Sequence, residues 1–245
     1  MTDDSLEHGH SHAEIAHRLS RGHTVNYVRD LVYGGIDGAV TTFAIVAGVV
    51  GASLSANIVI ILGVANLVAD GISMAAGNYS ATKTEKDELA RIRAMELRHI
   101  HTDPDGEREE VRQIYAAKGL SGEALETVVD SVTADRERWV STMVTEEHGL
   151  SENIRDPFKA AGATFLAFFI CGAVPLIPYL LLPATIAFPI ALAATTLVFF
   201  AIGSMKSRWS LSSWWASGIE TMVIGCAAAG TAYGIGYALR GLGLE

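Results

Sequence analysis

The chain has 245 residues, half of them hydrophobic, with a mean hydropathy of +0.30 and a formal net charge of −9. Residues 81–157 hold 18 acidic and 11 basic side chains, a net of −7, while the apolar stretches on either side hold almost no charge. This segregation excludes an ordinary soluble domain and a nucleic-acid binder; it describes membrane segments plus one acidic insert suited to cations.

Residues 1–28 form a polar tail that contains EHGHSH, with His8, His10 and His12 alternating and His17 and His23 further on. Histidines at this density can capture a borderline metal, although a solvated tail is the more economical reading. The tail lacks the basic start and apolar core of a cleaved signal peptide, so the first membrane span is expected to do the targeting.

Residues 29–80 are expected to hold two transmembrane helices, at about 30–53 and 56–80. Each is long enough to cross a hydrocarbon core roughly 30 Å thick. The first carries Asp37 inside GGIDG, with Thr41 and Thr42 one turn on. Its many glycines are poor helix formers in water but let membrane helices approach closely, and those flanking Asp37 also permit local unwinding. The second carries Asn66, Asp70 and Met74 at i, i+4 and i+8, an amide, a carboxylate and a thioether along one stripe. A carboxylate inside a span costs about 2.5–3.5 kcal/mol on insertion scales, and its default reading is part of an ion path. For Met74 alone a packing contact is the simpler reading.

From residue 81 the chain turns charged without a helix breaker, so the second span should continue as a helix into the insert, 81–157. DPDG at 103–106 signals a turn, a helix follows until about Gly119, and Ser121 is positioned to cap the next one. An amphipathic piece ending WVSTMVTEEHGL closes the insert. Three more spans are expected within 158–245, at about 158–182, 183–205 and 213–239, with Pro175, Pro178, Pro183 and Pro189 around the first connection. Glu220 lies near the end of the last span, equally suited to the pathway or to snorkelling to the interface. Cys171 and Cys226 sit in apolar runs and read as packing residues with no disulfide. Lys83, Lys86, Arg155, Lys159, Lys206 and Arg208 place the N-terminus, the insert and the 206–212 loop in the cytoplasm by the positive-inside rule.

Within the insert, Glu96 and His99, Glu107 and Glu110, and Met143 and Glu147 are helix-spaced pairs. Were the helices to bundle, six oxygen, nitrogen and sulfur ligands would converge. That mixture suits Fe²⁺ or Mn²⁺, admits Zn²⁺, and does not suit Mg²⁺ or Ca²⁺. Acidic solvated helices also produce such pairs by chance, and spacing alone favours that reading.

The run DGAVTTFAIVAGVVG, then ANLVADGISMAAGNYSATKTEKDE, then P-D-G-E-x-x-E-V and W-x-x-x-M-x-x-x-E-x-G-L, resembles the vacuolar iron transporter family of Fe/Mn transporters. The likeness runs from about residue 26 to the end. It implies an all-α membrane protein: five transmembrane helices, a cytoplasmic three-helix-type metal-binding insert between the second and third, and a homodimer. It also implies export of Fe²⁺ or Mn²⁺ from the cytosol in exchange for protons, with no organic cofactor and no enzymatic activity. By position, Asp37 and Met74 match pathway residues, and Glu96, Glu107, Glu110, Met143 and Glu147 match ligands of the metal domain. His99 stands where a plant-type relative has glutamate, Val144 where it has a second methionine, and Asn66 where it has an intramembrane glutamate; Asp70 is then the nearest substitute proton carrier. Two other classes compete. Glu96-x-x-His99 and Glu14-x-x-His17 fit a membrane-anchored di-iron ferroxidase, and the insert could instead be a metal-sensing module on a passive anchor. Five spans without an added sorting segment fit a prokaryotic plasma membrane, with a vacuolar membrane as the alternative.

Overall fold

Every regular element among the described residues, 9–20 and 25–240 of this computed structural model, is helical. In chain order these are α1 (His12–Ser20), α2 (Val28–Gly51), α3 (Ala56–Thr102), α4 (Pro104–Ala117), α5 (Gly122–Thr133), α6 (Arg136–Thr142), α7 (Pro157–Ala173), α8 (Ile177–Leu181), α9 (Ala184–Lys206) and α10 (Trp214–Arg240). A π-helical turn, Met143–Glu147, prolongs α6, and a 3₁₀ turn, Ser207–Trp209, prolongs α9. His8 and His23 lie outside the described residues. His12 opens α1, which starts with a reciprocal cap: Glu14 N–H donates to Ser11 Oγ at 3.3 Å, and Ser11 N–H donates to Glu14 Oε2 at 3.1 Å.

The chain divides into two compact units, one comprising Tyr27–Lys83 and Asp156–Glu245, the other Thr84–Arg155 with the described residues before Tyr27. In the first unit α2 is the central helix and packs most extensively on α7 and α10. Glycine is what permits this. A methyl group added at Gly34 or Gly38 would run into the carbonyls of Thr164 and Phe168 on α7, and one at Gly236 would run into the carbonyl of Gly48. Backbones therefore meet directly, the arrangement small residues support in membranes. Phe43, Val46, Ala47, Val59, Leu67 and Phe168 form its apolar centre.

Four helices are long and apolar enough to cross a membrane: α2, α3, α9 with its 3₁₀ extension, and α10. The stretch expected as one span at 158–182 is instead two helices. Pro175 has no N–H to give to the carbonyl four residues earlier, so α7 stops at Ala173 after 17 residues and α8 starts afresh at Ile177. Pro183 stands at the N-cap of α9, and Pro189 is accommodated within it.

In the second unit, α3 continues unbroken to Thr102, as the absence of a breaker predicts. The DPDG turn is a helix start: Asp103 accepts the N–H of Gly106 at 3.1 Å, with Pro104 at the first helical position. Gly119, at φ +94°, ends α4 in the left-handed conformation glycine adopts without cost. Ser121 occupies the cap position of α5 without making the side-chain bond expected of it. Ile92, Ile100, Val111, Val129, Val140, Met143 and Val144 supply the core, and Arg93, Arg108 and Arg112 bind acidic side chains across the surface.

Candidate metal centre

Ile92, Glu96 and Ile100 follow one another at four-residue intervals on the buried face of α3. Two of them belong to the apolar core; the third is a carboxylate with 1% of its surface exposed. Glu107 repeats the pattern on α4, sharing its buried face with Val111. Burying a carboxylate in this way is costly unless something positive compensates it. The protein offers each only part of that compensation. Glu96 Oε1 lies 2.9 Å from His148 Nε2, and Glu107 Oε1 lies 3.2 Å from His99 Nδ1. The Oε2 atom of each is buried, and no amide, hydroxyl or basic side chain donates to it.

Two groups of ligand atoms result, both containing Glu96: Glu96 with His99 and Glu107, and Glu96 with Glu147 and His148. Within each group the atoms lie within 4.8 Å of one another. Glu147 Oε2 is 3.6 Å from His148 Nε2. Burial, and then the charges of Glu96 and Glu110, push the Glu107 carboxyl up to about 8. Burial also raises Glu147, with Glu110 and Glu96 adding to the effect and His148 and His99 opposing it. Carboxylates crowded this closely need a proton or a cation among them.

Of the sequence-predicted ligands, Glu96, His99, Glu107 and Glu147 are brought together. Glu110 is exposed, yet near enough for its charge to act on both Glu107 and Glu147. Met143 is wholly buried in the apolar core beside Val144. His148 was not predicted. It arrives through the π-helical turn, in which His148 N–H donates to Met143 O at 3.3 Å. Such i→i+5 winding brings residues four and five positions on to the same side, so Glu147 and His148 both serve the face that α-helical spacing assigns to Glu147 alone. Gly149, at φ +65°, then turns the chain, and Leu150 N–H closes the end on Val144 O at 3.0 Å. Glu14, the other half of the ferroxidase pattern, is exposed and engaged in capping α1; its hydrogen bonds from Ser11 hold its carboxyl below the usual range.

In the membrane-type unit, Asp37, Asn66, Asp70 and Met74 are all half-buried. Asn66 Nδ2 donates to Thr41 Oγ1 at 3.4 Å, and Thr41 Oγ1 donates to the carbonyl of Asp37 at 2.9 Å. Asp70 is close enough for its charge to act on Asp37. Met74 packs on the apolar centre. Glu220 stands apart from this chain of contacts: it is exposed on α10, 3.5 Å from Lys206 Nζ. A second polar assembly escaped the sequence reading. Asn78 Nδ2 lies 2.9 Å from Asp30 Oδ1, 2.6 Å from Thr164 Oγ1 and 3.2 Å from the carbonyl of Ala160, tying α2, α3 and α7 together. Its only sequence signal is an amide one helical turn before the buried Thr82.

A family model described as the VIT family matches residues 28–237. Vacuolar iron transporter 1 of Eucalyptus grandis is 32% identical over 250 residues, covering 98% of this chain and 100% of that protein. Vacuolar iron transporter 2 of Oryza sativa subsp. japonica is 33% identical over 219 residues, 88% of each chain. The vacuolar iron transporter of Toxoplasma gondii is 33% identical over 226 residues, 88% of this chain and 75% of its own. With the family model covering most of the chain and relatives alike along nearly its whole length, this chain belongs to the VIT family.

Proposed function

We propose that the chain carries Fe²⁺, Mn²⁺ or both out of the cytosol across a membrane, in exchange for protons and as a homodimer. Zn²⁺ is a further ion that its ligands can accept. The observation that carries this reading is the pair of buried carboxylates, Glu96 and Glu107, each with an oxygen that no amide, hydroxyl or basic side chain reaches, in a group of nitrogen and oxygen atoms the size of a metal shell. The relatives' names, which specify iron transport, agree with it.

In this reading residues 81–157 form the cytoplasmic unit that gathers metal, with Glu96, His99, Glu107, Glu110, Met143 and Glu147 around it. Five spans form the membrane domain, α7 and α8 together supplying the third. Asp37 and Met74 of both subunits pass the ion across, with Asn66 and Asp70 beside them. Asp37 or Asp70 takes up protons as the metal leaves, because a divalent ion and a proton compete for one carboxylate. The relatives' names, which specify a vacuole, favour the vacuolar membrane over the prokaryotic plasma membrane. The test is flux of Fe²⁺, Mn²⁺ and Zn²⁺ into proteoliposomes across a pH gradient, with Asp37→Asn as the control. Metal-dependent flux that falls at least tenfold in Asp37→Asn is expected; flux unchanged by that substitution removes Asp37 from the path, and no flux at all defeats the reading.

A further inference from the structure

We propose that His148 is itself a metal ligand, through Nε2, so that Glu96 is flanked by an imidazole on either side: His99 with Glu107, and His148 with Glu147. This rests on the metal-gathering reading of the unit and adds a residue that neither helical spacing nor the family motifs selected.

The distances carry it. Ligand atoms about 2.1 Å from one ion stand about 3.0 Å apart at a right angle and about 3.4 Å apart at the tetrahedral angle. His148 Nε2 is 2.9 Å from Glu96 Oε1 and 3.6 Å from Glu147 Oε2, separations that bracket those two values. The atoms are thus spaced for one ion between them. The side chain is also held in place: 22% of it is exposed, on a backbone fixed by the π-helical turn and the left-handed Gly149. Winding of this kind is rare in helices and frequently marks a functional site. The adjoining Glu96 Oε2 atom is buried and no amide, hydroxyl or basic side chain donates to it, so a cation, or a proton shared with Glu107 when no cation is bound, is what can compensate it.

A second nitrogen has a chemical consequence. Mg²⁺ and Ca²⁺ take oxygen ligands, whereas Fe²⁺, Mn²⁺ and Zn²⁺ accept imidazole. Among the described residues, both three-ligand groups that contain Glu96 include an imidazole, so abundant Mg²⁺ is discriminated against at both.

The rival role for His148 is a counter-charge that touches Glu96 and leaves metal alone. Pulsed EPR of Mn²⁺, added below one equivalent to the full chain in detergent, separates the two by the nitrogen coupling of a bound imidazole. Calorimetry with Zn²⁺ gives affinity in parallel. In His148→Leu, and in His148→Gln should the leucine variant fold poorly, the expected result is loss of a nitrogen coupling that His99→Gln retains. Zn²⁺ affinity should fall at least 10–100-fold, the range found even for outer-shell changes, and excess Mg²⁺ should compete where it does not in the wild type. Unchanged coupling and affinity in both His148 variants overturns the proposal while leaving the metal unit intact. A wild type that binds neither ion, or a Glu96→Gln variant that binds both normally, overturns the parent reading as well.

Discussion

Nδ1 of His99 stands 3.2 Å from Oε1 of Glu107, pairing an imidazole that is half exposed with a carboxylate that is almost wholly buried. The pairing does not hold Glu107 ionised, since burial and the surrounding acids push its carboxyl up to about 8 from an ordinary value of 4.5. Between those two values the folded chain keeps a proton that the unfolded chain gives up. An acid raised in this way contributes stability that is fully present below about 4.5 and is lost as pH rises toward 8. The metal-free chain in detergent should therefore melt at progressively lower temperature between pH 6 and pH 9, and Glu107→Gln should flatten that slope. Calorimetry in buffers of different ionisation enthalpy should show protons released when metal binds at pH 7.

The glycine contacts predict a sharp contrast on the helices of the membrane-type unit. Gly38→Ala and Gly236→Ala each drive a methyl group into a backbone carbonyl that no rotamer change can move. Overpacking typically costs about 1–3 kcal/mol, and a backbone obstacle belongs at the upper end. Gly230 and Gly234, with nothing within 4 Å of the added carbon, should accept alanine with little loss or a small gain. Thermal melting of the four variants in one detergent tests this directly.

Much of this architecture is legible in one chain. Apolar runs of span length, the change to a charged helix after residue 80 and the DPDG start are local signals, and local signals survive into the fold. The stretch 158–182 reads as one helix and forms two, because its apolar composition runs on past the point where Pro175 ends α7. Composition has no term for a missing N–H. In the candidate metal centre, Glu96 and Glu107 lie within apolar stripes, each four residues from a core isoleucine or valine. His148 does not, because α-helical spacing is the wrong ruler for a π-helical turn. Asn78 was missed for a different reason: its partners lie 48 and 86 residues away, and nothing local encodes such a meeting.

Glu220 is expected to matter little for flux. It is exposed and ion-paired with Lys206, the arrangement of a side chain at a helix end. Exposed pairs of this kind contribute about 0–1 kcal/mol. Glu220→Gln should leave thermal stability within about 1 kcal/mol of the wild type and keep most of the metal flux, while Asp37→Asn should lose most of it. Equal losses in both would return Glu220 to the pathway.

Asn66 offers the most informative substitution, because its structural role and its proposed transport role separate. Its amide bonds Thr41, whose hydroxyl in turn bonds the Asp37 carbonyl, so one side chain links α3 to the backbone of α2 at Asp37. Hydrogen bonds between membrane helices average about 0.6 kcal/mol and reach about 1.7. Asn66→Ala and Thr41→Val should each destabilise by that amount, and the double variant should lose little more than either alone, which a double-mutant cycle reads as coupling. Asn66→Glu does something else: it adds a titratable group one turn from Asp70 on the same stripe. Flux in that variant should acquire an additional proton-dependent step, steepening the pH profile, while Asn66→Ala keeps the wild-type profile at lower stability. If both variants keep the wild-type profile, Asn66 is a strut between helices and the protons travel elsewhere.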